Sequence, residues 1–195
     1  SVGDSMILFT DARVPPTQTI NALTVAGSLS FAPIQRLEAA VSAYFNFLPI
    51  YSSVADSQVR YLGINARVGF RVPWPPQPWQ LTLYGGWYYL TMFVSPEDRG
   101  FTGMNGPQLY PTLSYTFKNG NVASIYAKYS PMFNGFSVMT PTNCEVAAGI
   151  GYGFALPKGH SIQLSFDFST SSLLIADILL TTTTMTLGVG WGFSI

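Results

Sequence analysis

The chain carries one cysteine, one histidine, and only nine basic and nine acidic residues in 195 positions. A lone thiol, Cys144, excludes an internal disulfide framework and is silent on the redox state of the compartment. One imidazole and one thiol among scattered carboxylates do not match a zinc-site spacing, so no metal or cofactor is expected. Charged residues are 9% of the total, against about 25% in an ordinary soluble domain, which leaves little to cover a water-facing exterior. The formal net charge of zero removes the basic field that would hold nucleic acid. No run reaches the ~18 apolar residues of a membrane helix, and the greasiest stretch, Leu173 to Leu180, is interrupted by Asp177. No basic, apolar and small-residue leader opens the chain, as expected of a mature sequence whose export signal has been removed. No Pro/Gly/Ser-rich linker divides it, so residues 1–195 are expected to form one domain.

What the chain has in abundance is alternation with period two, which sends successive side chains to opposite faces of a strand. Residues 37 to 49 place Leu37, Ala39, Val41, Ala43, Phe45 and Phe47 on one face and Glu38, Ala40, Ser42, Tyr44 and Asn46 on the other. Residues 59 to 72 set Leu62, Ile64, Ala66, Val68, Phe70 and Val72 against Tyr61, Gly63, Asn65, Arg67, Gly69 and Arg71. The same reading holds for 79–94, 108–118, 121–133, 144–156, 160–172 and 182–195, and more weakly for 20–31. Short turns fall at Ala32 to Arg36, Pro73 to Pro78, Asn119-Gly120 and Pro157-Lys158-Gly159, each with turn chemistry. Longer connections are expected at Tyr51 to Gln58, Ser95 to Pro107, Asn134 to Asn143 and Ser171 to Thr181.

Nine strands is an odd number, and single-chain bacterial barrels have even ones. Ser5 to Arg13 is the candidate tenth strand, joined through Val14-Pro15-Pro16; the rival is that residues 1–18 enter the barrel as a plug. The pattern therefore predicts an all-β, antiparallel up-and-down transmembrane barrel of about ten strands, with eight as the alternative. Barrels of this kind have short periplasmic turns and longer outside loops, which places the four short turns and both termini in the periplasm.

A soluble barrel also alternates, but it turns its apolar face inward. Here Glu38, Arg67, Arg71, Lys118, Lys128, Glu145 and Asp167 all fall opposite the aliphatic stripe. Arg or Lys on a lipid face costs roughly 2–4 kcal/mol at mid-bilayer, so segregation is required of a membrane barrel. The polar face is otherwise made of small residues, such as Gly149, Gly151 and Gly153 or Gly188, Gly190 and Gly192, where a water-exposed sheet would carry Lys and Glu. Small side chains suit the concave wall of a narrow barrel. Trp74, Trp79, Phe93, Tyr129, Phe133, Trp191 and Phe193 gather towards strand ends, as interfacial belts do.

The last strand runs Thr186-Leu187-Gly188-Val189-Gly190-Trp191-Gly192-Phe193. A polar residue, a glycine two later and two alternating hydrophobics resemble the C-terminal β-signal of the bacterial outer-membrane β-barrel superfamily. That resemblance implies residence in the Gram-negative outer membrane, contact with membrane lipid and lipopolysaccharide, and recognition of Thr186, Gly188, Trp191 and Phe193 by the barrel-insertion machinery. It departs from the pattern in that Ser194 and Ile195 follow the terminal aromatic.

No catalytic group is expected. Asp167 is seven positions along the strand from His160 and Ser161, over about 20 Å at roughly 3.3 Å per residue, so the three cannot form a triad. His160 reads as a solvated turn residue. Within the barrel, hairpin register brings Glu38 near Arg71 and Ser42 near Arg67, and Lys128 is expected to meet Asp167 over Gly149 and Gly151. These charges read either as a salt-bridge network filling the lumen or as a selectivity cluster for a small solute. The outside loops are apolar: Phe101 and Met104; Phe136, Val138 and Met139; Leu173, Leu174, Ile175, Ile178, Leu179 and Leu180. They read either as docking surface for another outer-membrane protein or lipoprotein, or as strands that run further than the pattern shows. The functional expectation is a non-enzymatic accessory subunit or anchor, with a narrow solute channel as the alternative.

Overall fold

The computed structural model describes residues 1–11, 14–52, 58–74, 76–95, 99–134, 143–175 and 178–193. The alternating segments form β1 (Val2–Asp11), β2 (Val14–Ile34), β3 (Leu37–Ser52), β4 (Gln58–Arg71), β5 (Trp79–Ser95), β6 (Arg99–Thr116), β7 (Val122–Pro131), β8 (Phe133–Asn134), β9 (Cys144–Ala155), β10 (His160–Ile175) and β11 (Ile178–Phe193). The two-residue β8 continues β7 along β6, pairing Met104 with Asn134 and Asn105 with Phe133. Each long strand is antiparallel to its neighbours, and a β5–β6 pairing joins the two sides of the sheet into a closed ring of ten long strands. Closure removes the unpaired edges that a bilayer could not hydrogen-bond.

The N-terminal segment is a strand of the wall, not a plug. β1 pairs with β11 over Val2↔Val189 to Asp11↔Leu180 and with β2 over Val2↔Val25 to Asp11↔Val14. Two expected loops are mostly strand. β6 already begins at Arg99, and β10 and β11 stay paired from His160↔Phe193 up to Ile175↔Ile178. The sequence over 171–181 resembles a loop because neighbouring residues match in character, Ser171 with Ser172 and Leu173 with Leu174, which erases the alternation of oily and wet faces. Tight turns bear out the short connections: Gly120 takes φ +84° between β6 and β7, where an L side chain would be strained.

The outer face is apolar and exposed. Leu29, Val41, Val68, Leu83, Ile125, Ile150, Leu187 and Val189 all point away from the ring, while Lys128 and Glu145 inside it are buried. A water-soluble fold would reverse this. At the short-turn end, Trp79, Tyr115, Phe117, Tyr152 and Phe154 contact one another in series, with ring centroids 4.8, 4.8, 5.8 and 4.8 Å apart. This run of rings is the aromatic girdle expected where the wall meets the interface. Among the described residues two strand charges break the segregation: Asp4 and Arg60 are exposed, Asp4 lying between its Cα partners Leu23 and Leu187.

The interior changes character along the barrel axis. At the long-connection end the inward side chains are packed and mostly apolar: Ile7, Phe9, Ile20, Val59, Met92, Met104, Met132, Leu173 and Leu180 form one buried cluster, with Asp11 and Gln18 buried at the same end. Nearer the short turns the inward positions are polar or small, and Ser28, Ser30 and Gln163 are exposed. The bore is thus open at one end and filled at the other.

Candidate functional site

Parity fixes which residues reach the lumen, and neighbouring strands then tie them into rungs across it. The middle rung starts at Glu145 on β9. Its Oε1 accepts from Lys128 Nζ on β7 at 2.7 Å, with the two side chains 5% and 8% exposed. The same ammonium lies 3.2 Å from the centroid of the Tyr88 ring on β5, and the Tyr88 hydroxyl meets that of Tyr44 on β3. A buried cation is tolerable only if its charge is met, and here a carboxylate and an aromatic face meet it together.

A second rung, closer to the short turns, begins at Asp167 on β10, which accepts a hydrogen bond from Tyr126 on β7 at 2.7 Å. Tyr126 stacks on Tyr110 of β6, with centroids 4.7 Å apart and planes within 14°. The Arg67 guanidinium of β4 lies 4.4 Å from the Tyr110 centroid and 5.1 Å from that of Tyr84. A third network crosses the closing seam: Ser5 bonds Thr186 at 2.7 Å and Thr24 at 2.6 Å, and Thr24 bonds Tyr61 at 3.1 Å.

Glycine makes these tyrosines possible. Tyr44, Tyr84 and Tyr126 each face a glycine as Cα partner on the adjacent strand, namely Gly63, Gly69 and Gly149. The ring lies over its glycine, and a Cβ at any of the three would collide with it; at Gly149 it would also meet the Asp167 carboxylate. The inward glycines are therefore floors for aromatic rings that fill the bore.

Of the seven charges expected in the lumen, six are there. Lys118 is not: it sits exposed in the β6–β7 turn, because β6 ends at Thr116. Arg71 bonds Glu38 at 3.1 Å, although the register sets Glu38 opposite Gly69, so the contact is diagonal. Ser42 stands opposite Asn65, with Arg67 at the same diagonal offset, and both line the cavity described below. Lys128 pairs with Glu145 and leaves Asp167 to Tyr126, because Glu145 is only one inward step from its Cα partner Ala147. The tyrosines were the missed participants; their inward parity was the signal available. Asn46 and Asn143 were missed too. Both are buried and bond the backbone of the adjacent strand, Asn46 to Val59 and Tyr61, and Asn143 to Leu174.

The apolar loop residues part company. Met104, Leu173 and Leu180 are buried inside the barrel, and Ile178 packs against that cluster. Leu174 is half-buried and Leu179 is exposed on the outer side. Ile175 pairs with Ile178 at the end of the β10–β11 hairpin, and Phe101 lies in β6 with its backbone paired to Met92. Phe136, Val138 and Met139 lie outside the described residues. In the terminal strand Thr186 and Gly188 face the lumen, whereas Trp191 and Phe193 are exposed outward. His160 is half-buried rather than solvated, with its ring centroid 5.3 Å from that of Trp191.

Between the rungs and the hydroxyl-rich wall of β1, β2, β10 and β11 remains a cavity of about 280 Å³. Its lining includes Arg67, Tyr110, Asp167, Ser165, Thr184 and Thr186.

No family model matches the chain, and neither does any curated protein. Among solved structures, the translocator domain of the autotransporter NalP from Neisseria meningitidis matches 100% of this chain and 86% of its own, at 13% identity and a TM-score of 0.55. The fold is that of the outer-membrane β-barrels. Ail, the attachment invasion locus protein of Yersinia pestis, aligns over 98% of this chain and 95% of its own at 13% identity and a TM-score of 0.36. The NanC porin aligns over 100% of both chains at 6% identity and a TM-score of 0.36. The closed ring and the apolar outer belt make the chain a transmembrane barrel, and its fold is that of the NalP translocator domain.

Proposed function

We propose that this barrel resides in the Gram-negative outer membrane as a non-conducting, non-enzymatic anchor or accessory subunit, with its short turns towards the periplasm. The observation that carries the reading is the apolar plug of the wall's own side chains. Ile7, Phe9, Met104, Met132, Leu173 and Leu180 are each at most 3% exposed and fill the bore at the long-connection end. An open pore keeps a water-filled path along its length; a packed layer, even with Asp11 and Gln18 buried at the same end, leaves none. Such a barrel serves by what it holds in the membrane. The surface left for another outer-membrane protein or lipoprotein lies on the outward side of this end, where Leu174 and Leu179 stand.

Planar-bilayer recording tests this. The natural chain is expected to give no discrete openings, whereas Met104→Ala/Met132→Ala/Leu173→Ala, which hollows the plug, is expected to conduct. Discrete openings in the natural chain that change with Asp167→Leu or Lys128→Met would contradict it. They would favour the second reading, a narrow solute channel, for which the polar cavity is the supporting observation.

A further inference from the structure

We propose that the lumenal cavity is a binding site for a small zwitterion of dipeptide size, its carboxylate on Arg67 and its ammonium on Asp167. Of the six charges that the sequence placed in the lumen and the structure keeps there, four are consumed in pairs, Glu38 with Arg71 and Glu145 with Lys128, while Asp11 is buried apart from them at the long-connection end. Arg67 and Asp167 are the two left without an ion pair among the described residues, and both line the cavity. Arg67 meets the Asn65 side chain at 3.3 Å and two tyrosine faces, and its enclosed Nε donates to nothing. Asp167 accepts one bond from Tyr126, which leaves the remaining lone pairs of its carboxylate open.

Their placement sets the ligand. β4 and β10 are five strands apart whichever way the ring is followed, so the two charges reach in from opposite walls. Between them stand the stacked rings of Tyr110 and Tyr126, with the Arg67 guanidinium over the first and the Asp167 carboxylate on the hydroxyl of the second, so a ligand that meets both carries its charges further apart than a single α-amino acid does. Two extended residues span up to about 7 Å, which bridges more of the bore and fits the volume. One half of the path is closed by the Tyr110–Tyr126 stack; the other half presents Ser42, Thr24, Ser165, Thr184 and Thr186, hydroxyls able to satisfy a peptide group. Entry is from the short-turn end, where cavity-lining Ser28 is exposed. Binding there needs no passage through the bore, so the site stands apart from whether the barrel conducts.

The test is calorimetric titration of the full chain, folded in detergent, with L-alanyl-L-alanine. Saturable binding of one molecule per barrel is expected, weakened at least tenfold by Arg67→Met and by Asp167→Asn but unchanged by Arg71→Met, which lies outside the cavity. N-acetylalanyl-alanine and alanyl-alanine amide, each lacking one charge, are expected to bind the natural chain at least tenfold more weakly, a comparison that needs no variant to fold. No saturable binding, equal binding of the blocked dipeptides, or full binding by either cavity variant would overturn the proposal.

Discussion

The charge that matters most at the scale of single residues is the one buried deepest. Lys128 and Glu145 are both nearly closed to solvent, and the ammonium also rests on Tyr88. Removing one partner strands the other, so Lys128→Met alone is expected to cost about 3–5 kcal/mol. Lys128→Met/Glu145→Leu, which removes both charges at similar volume, is expected to recover most of that loss. Urea unfolding followed by the gel mobility of the folded form reads the difference. A single variant as stable as the natural chain would show that the pair is not buried as described. Parity in the sequence assigned both residues to the lumen but not to each other. A diagonal contact such as Lys128 to Glu145 depends on register and on side-chain reach, and neither is written in the alternation. The tyrosines escaped for a related reason: a Tyr on a polar face reads as one more polar residue until the glycine opposite is seen as its floor.

Elements were legible wherever one face was apolar and the other polar. The pattern failed where both faces share a character. Ser171, Ser172 and Thr181 carry hydroxyls on both sides and read as the ends of a loop, yet they lie in β10 and β11, paired through Ser171↔Thr182 and Ser172↔Thr181. At the long-connection end Met104, Leu173 and Leu180 are apolar but point inward, against the polar-in rule, and so were read as exposed loop. β1 was ambiguous because its inward side, Ser5, Ile7 and Phe9, is as greasy as its outward side. Its pairing on both edges gives a direct test. In a Cys144→Ser background, Ser5→Cys/Thr186→Cys joins Cα partners across the closing seam and is expected to form a disulfide in the folded barrel. Ser5→Cys/Thr184→Cys, out of register by two, is expected to cross-link poorly. Equal cross-linking of both pairs would mean a segment that slides or enters the bore.

For the whole molecule the fold class followed from few charges, regular alternation and no helical span, and the closed ring bears it out. What the sequence left open was the inside: a plug of packed methionine, leucine and phenylalanine above a polar cavity has no signature separate from that of the wall it belongs to. Everything depends on which solvent touches the outer face. Leu83 is 42% and Val189 56% exposed, both outward and on opposite sides of the ring, and Ser165 faces the cavity. Spin labels placed singly at Leu83, Val189 and Ser165 in lipid-reconstituted protein measure this most directly. Labels at Leu83 and Val189 are expected to collide freely with oxygen and barely with a water-soluble nickel chelate, with the reverse at Ser165. Nickel access at Leu83 and Val189 with little oxygen access would contradict the account.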